Sequence, residues 1–359
     1  MATFIPLDTQ PPPDVSIALP PWTLTAQLYL FISRTTSVSP TSTQSSANPN
    51  NTPEILQGLA PGSYHPFESI HPSALNLVDG KPQWQGGMSK IILVRYSDSP
   101  VGPYDEFILI PGAFKNPRTG RSTDRISTIY VSVPQSVWNG RRNWMSTTIN
   151  FGGESHGLAS GRAFIFRAEF AIWDGCRFIL TDRNLHPTMY LHSQARNFIA
   201  DWTQHDTDIP KHLAHFEWIP SADGSSTTVR VSHPPNTSAP LSPSSPFFSA
   251  TITQSTYIPS FPINTSPALF SSFTALVQPP LLPTRYPTDS PLKLAADDNP
   301  WLQIVPVYRG WARPAYIADV HADGIGFPES SPWSVGARFE GTIEFPAASE
   351  MRDARVKED

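Results

Sequence analysis

The chain has 359 residues with 25 Lys+Arg against 30 Asp+Glu, a formal net charge of −5 and a pI near 6.0; its cations form no long stripe, which excludes an electrostatic nucleic-acid partner. Ten Trp and a hydrophobic fraction of 39% supply enough apolar surface for a sizeable core and exclude wholesale disorder. Forty prolines, none able to donate a backbone hydrogen bond, exclude a fold of long helices, so the class reads as mainly β (α+β).

The first 21 residues carry neither a basic segment nor a long apolar run, and no stretch nears the roughly 18 apolar residues of a membrane span. The expectation is a cytoplasmic protein with no membrane partner. A single cysteine, Cys176, allows no internal disulfide.

In chain order, Trp22 to Ile32 alternates apolar and polar residues and predicts a strand with one buried face. Residues 34–53 are rich in Ser, Thr, Asn and Pro, a low-complexity loop that cannot bury a core. Lys90 to Tyr96, Glu106 to Ile110 and Ile126 to Val133 predict an antiparallel meander, with Gly, Pro, Asp and Ser between the strands. Residues 145–208 break the rhythm. Further strands are expected at Ala214 to Ile219, Thr227 to Ser232, Phe248 to Thr256, Leu302 to Tyr308, Tyr316 to Val320 and Ala337 to Phe345. The turn-rich run from His233 to Pro246 reads as a β-hairpin connection inside one domain spanning 1–359.

Two residues stand out chemically. Lys211, in Ile209-Pro210-Lys211-His212-Leu213-Ala214-His215-Phe216, has apolar neighbours that could hold its amine in a water-poor place, where a neutral amine can attack a carbonyl. Taken without its context, the same residue reads far more readily as an exposed loop lysine. Glu106, at the start of an apolar strand after Val101-Gly102-Pro103-Tyr104-Asp105, can face a pocket and move a proton, or cap a turn in solvent.

These segments together resemble a known family. Ile91 to Gly112 (IILVRYSDSPVGPYDEFILIPG), Arg125 to Trp144 (RISTIYVSVPQSVWNGRRNW) and Ile209 to Trp218 (IPKHLAHFEW) are similar to acetoacetate decarboxylase-like proteins, especially the fungal branch, as is Trp311 to Pro346. The resemblance implies an antiparallel β barrel or cone with few short helices, an enclosed apolar pocket, no metal and no organic cofactor. It places the Schiff-base lysine on Lys211 and the pocket glutamate on Glu106. Beside the resemblance, the residues themselves add Tyr104, Arg141 and His212 as expected substrate-binding residues, with Arg141 neutralising a carboxylate and His212 tuning Lys211. The implied partner is a small carbonyl or carboxylate substrate; family members often associate as homo-oligomers, and no face of the sequence decides that here.

The sequence departs from the family at three places. A second lysine follows the reactive one in the decarboxylases, where this chain has His212, which carries charge only when protonated. The arginine of their first strand has no clear counterpart in Trp22 to Ile32. Residues 145–208 interrupt the pattern, either as a surface insertion, which loop thermodynamics tolerates, or as a translated intron.

Other motifs carry less. His212 and His215, spaced i, i+3, would form a metal pair on a helix, but no Cys or carboxylate cluster accompanies them. Arg141 and Arg142 suit a bidentate carboxylate or a solvated turn. Trp138, Trp144 and Trp218 read as core. Gly153-Glu154-Ser155-His156-Gly157 fits G-x-S-x-G, but no convincing helix follows and the chain around it reads β, so Ser155 reads as part of a Gly-rich turn.

The resulting expectation is a lyase in which the Lys211 amine condenses with a β-keto acid or polyketide-like carbonyl and carbon dioxide leaves. Two alternatives stand beside it: a Schiff-base aldolase, dehydratase or cyclase of secondary metabolism, and a pocket that binds an apolar small molecule without turnover.

Overall fold

In the computed structural model, which describes residues 14–34, 57–66, 70–143, 211–235, 245–255, 257–267, 270–279 and 301–351, the predicted alternation after the proline-rich leader is strand β1, Trp22–Arg34. It is followed by β2 (Met88–Asp98), β3 (Tyr104–Ile110), β4 (Ala113–Lys115), β5 (Ser122–Asp124) and β6 (Thr128–Val131). Downstream lie β7 (Lys211–Leu213), β8 (His215–Pro220), β9 (Ser226–Ser232), β10 (Phe248–Gln254), β11 (Phe261–Asn264) and β12 (Leu276–Gln278). The last strands are β13 (Leu302–Ile304), β14 (Val307–Ala322), β15 (Val335–Phe345) and β16 (Ser349–Glu350). Helices are few and short, as expected of a chain this rich in proline: α1 (Pro72–Leu75), α2 (Pro134–Asn143) and α3 (Ser271–Thr274). Residue 35 onward of the 34–53 run, the 145–208 interruption with Ser155 and Cys176, and Trp144 lie outside the described residues.

The main sheet runs β7-β6-β3-β2-β1-β15-β14-β10-β9-β8, with β11 added on β14. The expected meander is present as β2, β3 and β6, all antiparallel, and β9 and β10 pair as the expected hairpin. One pairing differs from the expectation of an antiparallel sheet: β7 lies parallel to β6, with Ile129 opposite Lys211 and Val131 opposite Leu213. β7 and β8 are the two edges of the sheet, yet only Ala214 separates them in the chain. The chain thus passes directly from one edge strand to the other and the sheet is nearly closed, while β11, paired only with β14 among the described residues, keeps its outer edge.

Side-chain contacts show which face lies inside. β3 and β10 are five strand spacings apart, about 24 Å in a flat sheet at ~4.8 Å per strand, but the Phe107 and Phe248 rings are 4.4 Å apart. The face bearing Tyr29, Phe31, Leu93, Phe107, Tyr130 and Phe248 is thus the interior of a barrel-like closed sheet, filled with aromatic side chains. The opposite face, with Leu24, Leu28, Val94, Ile108 and Val131, packs outward against Val137 of α2 and Ile304 of β13. Both faces being buried explains why the β3 sequence, EFILI, reads as a continuous apolar run.

A second, five-stranded sheet, β16-β13-β12-β5-β4, lies beside the barrel. Arg125, buried between Phe114 (4.2 Å) and Trp301 (5.0 Å), donates from Nη2 to Gln83 Oε1 at 2.8 Å and ties this layer down. Among the described residues no helix is long and apolar enough to cross a membrane.

Candidate active site

Strand period decides what Lys211 sees. In β7, Lys211 and Leu213 take one face and His212 the other. Lys211 is opposite Ile129, on the outer face shared with Ile108 and Val131. Glu106, opposite Val131 and Val94, lies on that same face. The two side chains meet there, with Lys211 Nζ 3.2 Å from Glu106 Oε2 and both nearly fully buried, at 5% and 4% exposure.

Helix α2 forms the lid over the amine. Proline opens it at the first helical turn, where its missing N–H costs nothing. Asn139 Oδ1 accepts from Ala18 N at 2.8 Å while its Nδ2 donates to Ser16 O at 2.9 Å, and Asn143 Nδ2 donates to Ala18 O at 2.5 Å. The segment before β1 is thereby strapped across the helix. Gly140 faces Lys211 so closely that an added β-carbon would lie 2.8 Å from its Cδ and 3.0 Å from its Nζ. Any side chain here would have to push the Lys211 amine aside.

Three tyrosines surround the pair. The Tyr104 ring centre is 5.8 Å from Lys211 Nζ, its hydroxyl lies close to Glu106, Ser136 and Tyr96, and its ring is 4.5 Å from that of Tyr96. Burial, and after it the Glu106 charge, raises the Tyr96 and Tyr104 hydroxyls well above the usual phenol value, and the same causes push Tyr308 up to about 12. All three stay protonated, and Tyr104 is the one placed to donate a hydrogen bond to Glu106.

Of the residues singled out from the sequence, the structure thus brings together Lys211, Glu106 and Tyr104. Arg141 sits on α2 one position after Gly140, and its side chain lies outside the described residues. His212 does not join the site: it points into the barrel, 97% buried, with its ring stacked on His65 at 3.5 Å between centroids. The helical His212/His215 pair is also corrected, since the two belong to β7 and β8 and His215 is exposed. Among the described residues no group of three His, Cys, Asp or Glu is placed to hold a metal. Trp138 is buried and Trp218 half-buried, as core residues would be. Tyr96, Tyr308, Ser136 and Gly140 escaped the sequence reading. Only the alternation of β2, with Tyr96 in register opposite Tyr104, could have found one of them.

No protein-family model matches this chain, and no curated protein matches it. Among solved structures, it is similar to the acetoacetate decarboxylase of Legionella pneumophila subsp. pneumophila str. Philadelphia 1, with 11% identity, a TM-score of 0.44, and coverage of 94% of this chain and 89% of that one. It is also similar to the enduracididine biosynthesis enzyme MppR complexed with pyruvate, with 11% identity, a TM-score of 0.41, and coverage of 95% and 94%. At these scores neither likeness assigns an activity or a residue role to this chain.

Proposed function

We propose that this chain is a Schiff-base lyase of the acetoacetate decarboxylase type, acting on a small β-keto acid or related carbonyl compound. The observation that carries the proposal is the Lys211–Glu106 pair, 3.2 Å apart and sealed from water on an apolar face. An enclosed lysine beside a carboxylate has one chemistry that an exposed ion pair lacks. Moving one proton across the pair leaves a neutral amine and a carboxylic acid without changing the net charge of the enclosure.

In the proposed cycle the Lys211 amine adds to the substrate ketone and water leaves, giving an iminium. The iminium accepts the electron pair released when the C–C bond to the carboxylate breaks and carbon dioxide departs. Glu106, within reach of Nζ, shuttles the protons of carbinolamine formation and protonates the resulting enamine carbon; Tyr104 holds the carbonyl oxygen during addition. Hydrolysis of the new iminium returns the ketone product and the free amine.

Borohydride reduction in the presence of acetoacetate and a panel of larger β-keto acids tests this directly. A mass adduct on the Lys211 peptide, absent in Lys211→Ala and accompanied by carbon dioxide release, is the expected result. No adduct and no carbon dioxide with any member of the panel would sink the proposal.

A further inference from the structure

On the inner face of the barrel the register forms rows. One row contains Phe107, Leu93, Tyr29, Arg338 and Arg313; the next, nearer the mouth, contains Asp105, Arg95, Gln27, Glu340 and Trp311. Arg338 and Arg313 are therefore cross-strand partners on one face of neighbouring strands, where like charges disfavour each other. They line an open cleft of about 370 Å³ together with Ser260, Trp311 and Glu340.

The two arginines are not equivalent. Arg338 is 7% exposed and fixed: its Nη1 is 3.1 Å from Glu340 Oε2, and its Nε donates at 2.8 Å to the Gln27 carbonyl in the amide orientation that satisfies both groups, with Nη2 on the same oxygen. On the same two rows Arg95 is paired with Asp105 at 3.4 Å, and further out Arg309 is paired with Glu344 at 2.8 Å. Arg313 has no ion pair among the described residues. The rim thus holds three cations, Arg95, Arg313 and Arg338, against two acids, Asp105 and Glu340. The unmatched charge points into the cleft, beside an indole that is 56% exposed.

We infer that Arg313 and Arg338 form an oxyanion site at the barrel mouth, which takes a small carboxylate or phosphate with any planar group lying against Trp311. Arg338 is the preorganised half, its orientation set by Gln27 and Glu340, and Arg313 is the adaptable half that closes on the ligand. Glu340 limits the affinity, since its carboxylate competes for Arg338. The site lies on the opposite face of the sheet from Lys211 and Glu106, so it does not depend on the proposed lyase chemistry and does not serve as that site's carboxylate anchor.

Isothermal titration calorimetry of the full chain at constant ionic strength, with inorganic phosphate and with benzoate as separate probes against a chloride reference, tests it. Saturable one-to-one binding of at least one probe is expected, phosphate alone indicating a phosphate ligand and benzoate alone an aromatic carboxylate. Arg313→Gln, at a half-buried position that tolerates the change, should weaken binding at least about tenfold, the loss expected for one charge-assisted contact. Arg309→Gln, which removes a nearby charge outside the cleft, should leave binding unchanged, and Glu340→Gln should tighten it. The inference is overturned if neither probe binds, if Arg313→Gln binds like the wild type, or if Arg309→Gln weakens binding as much as Arg313→Gln does.

Discussion

Gly140 of α2 lies directly against the Lys211 side chain, at a separation that admits no β-carbon without moving the amine. Gly140→Ala should therefore act on the site through geometry alone. The helix gains intrinsic propensity from the exchange, about 1 kcal/mol, so stability changes little. A displacement of the amine by even 1 Å is enough to cost about a hundredfold in rate. The expected outcome is a loss of turnover and of borohydride trapping with thermal stability kept; a fully active Gly140→Ala would show that the amine has room to spare.

The Lys211–Glu106 pair should behave as a coupled buried unit. Lys211→Met leaves a carboxylate in an apolar enclosure, a change that costs about 3–5 kcal/mol when a buried pair is broken. Adding Glu106→Gln removes that orphaned charge. The double variant should recover part of the loss, with a coupling of at least about 1 kcal/mol in a denaturant double-mutant cycle. Strictly additive effects would mean that the two groups do not share an enclosure in solution.

Four of the ten tyrosines, Tyr96, Tyr104, Tyr130 and Tyr308, have hydroxyls held above the ordinary phenol value, burial being the largest cause in each. The folded chain binds more protons at these groups than the unfolded chain once pH rises above about 10. Their contribution to stability is complete below that pH and is lost as pH climbs towards and past 12. Tyrosinate absorbance of the native protein should show these four missing from the titration near pH 10 and appearing together with alkaline unfolding. Ordinary titration of all ten in the folded state would contradict the structure.

His233 shifts the other way. Burial lowers its imidazole to about 4, only partly offset by Asp323, and it lies among His65, Tyr130 and Phe247, with His65 also stacked on His212. Between pH 6.5 and 4 the unfolded chain takes up a proton at this residue that the folded chain refuses, so stability falls as pH falls through that window. Melting temperatures measured from pH 7 down to pH 4 should drop by several degrees. His233→Asn should flatten the slope; an unchanged slope would place the acid sensitivity elsewhere.

Much of the fold could be read from the chain because period-2 alternation is a local property. Trp22 to Ile32, Lys90 to Tyr96 and Thr227 to Ser232 each show their two faces in the order of their residues, and each is a strand within one or two residues of its predicted ends. The short strands β4, β5, β12 and β16 were invisible, since runs of two or three residues carry no period. The long strand β14 was read only in part, as Tyr316 to Val320, its first two residues having been joined to β13 in the expected strand Leu302 to Tyr308; Pro314 occupies a strand position within it without donating.

For the site, the sequence by itself determined the chemical types: a lysine after a proline and a carboxylate in an apolar strand. It could not determine who meets whom. His212, next to Lys211 in the chain, is turned to the opposite face by the pleat, whereas Glu106, more than a hundred residues away, is brought within 3.2 Å by two steps of strand pairing, β3 to β6 and β6 to β7. Tyr308 and the opposed Arg313 and Arg338 likewise exist as neighbours only because the sheet curls shut and fixes its register. Covalent order sets what each strand shows on each face, and only long-range hydrogen bonding and burial of the aromatic interior decide which faces come together.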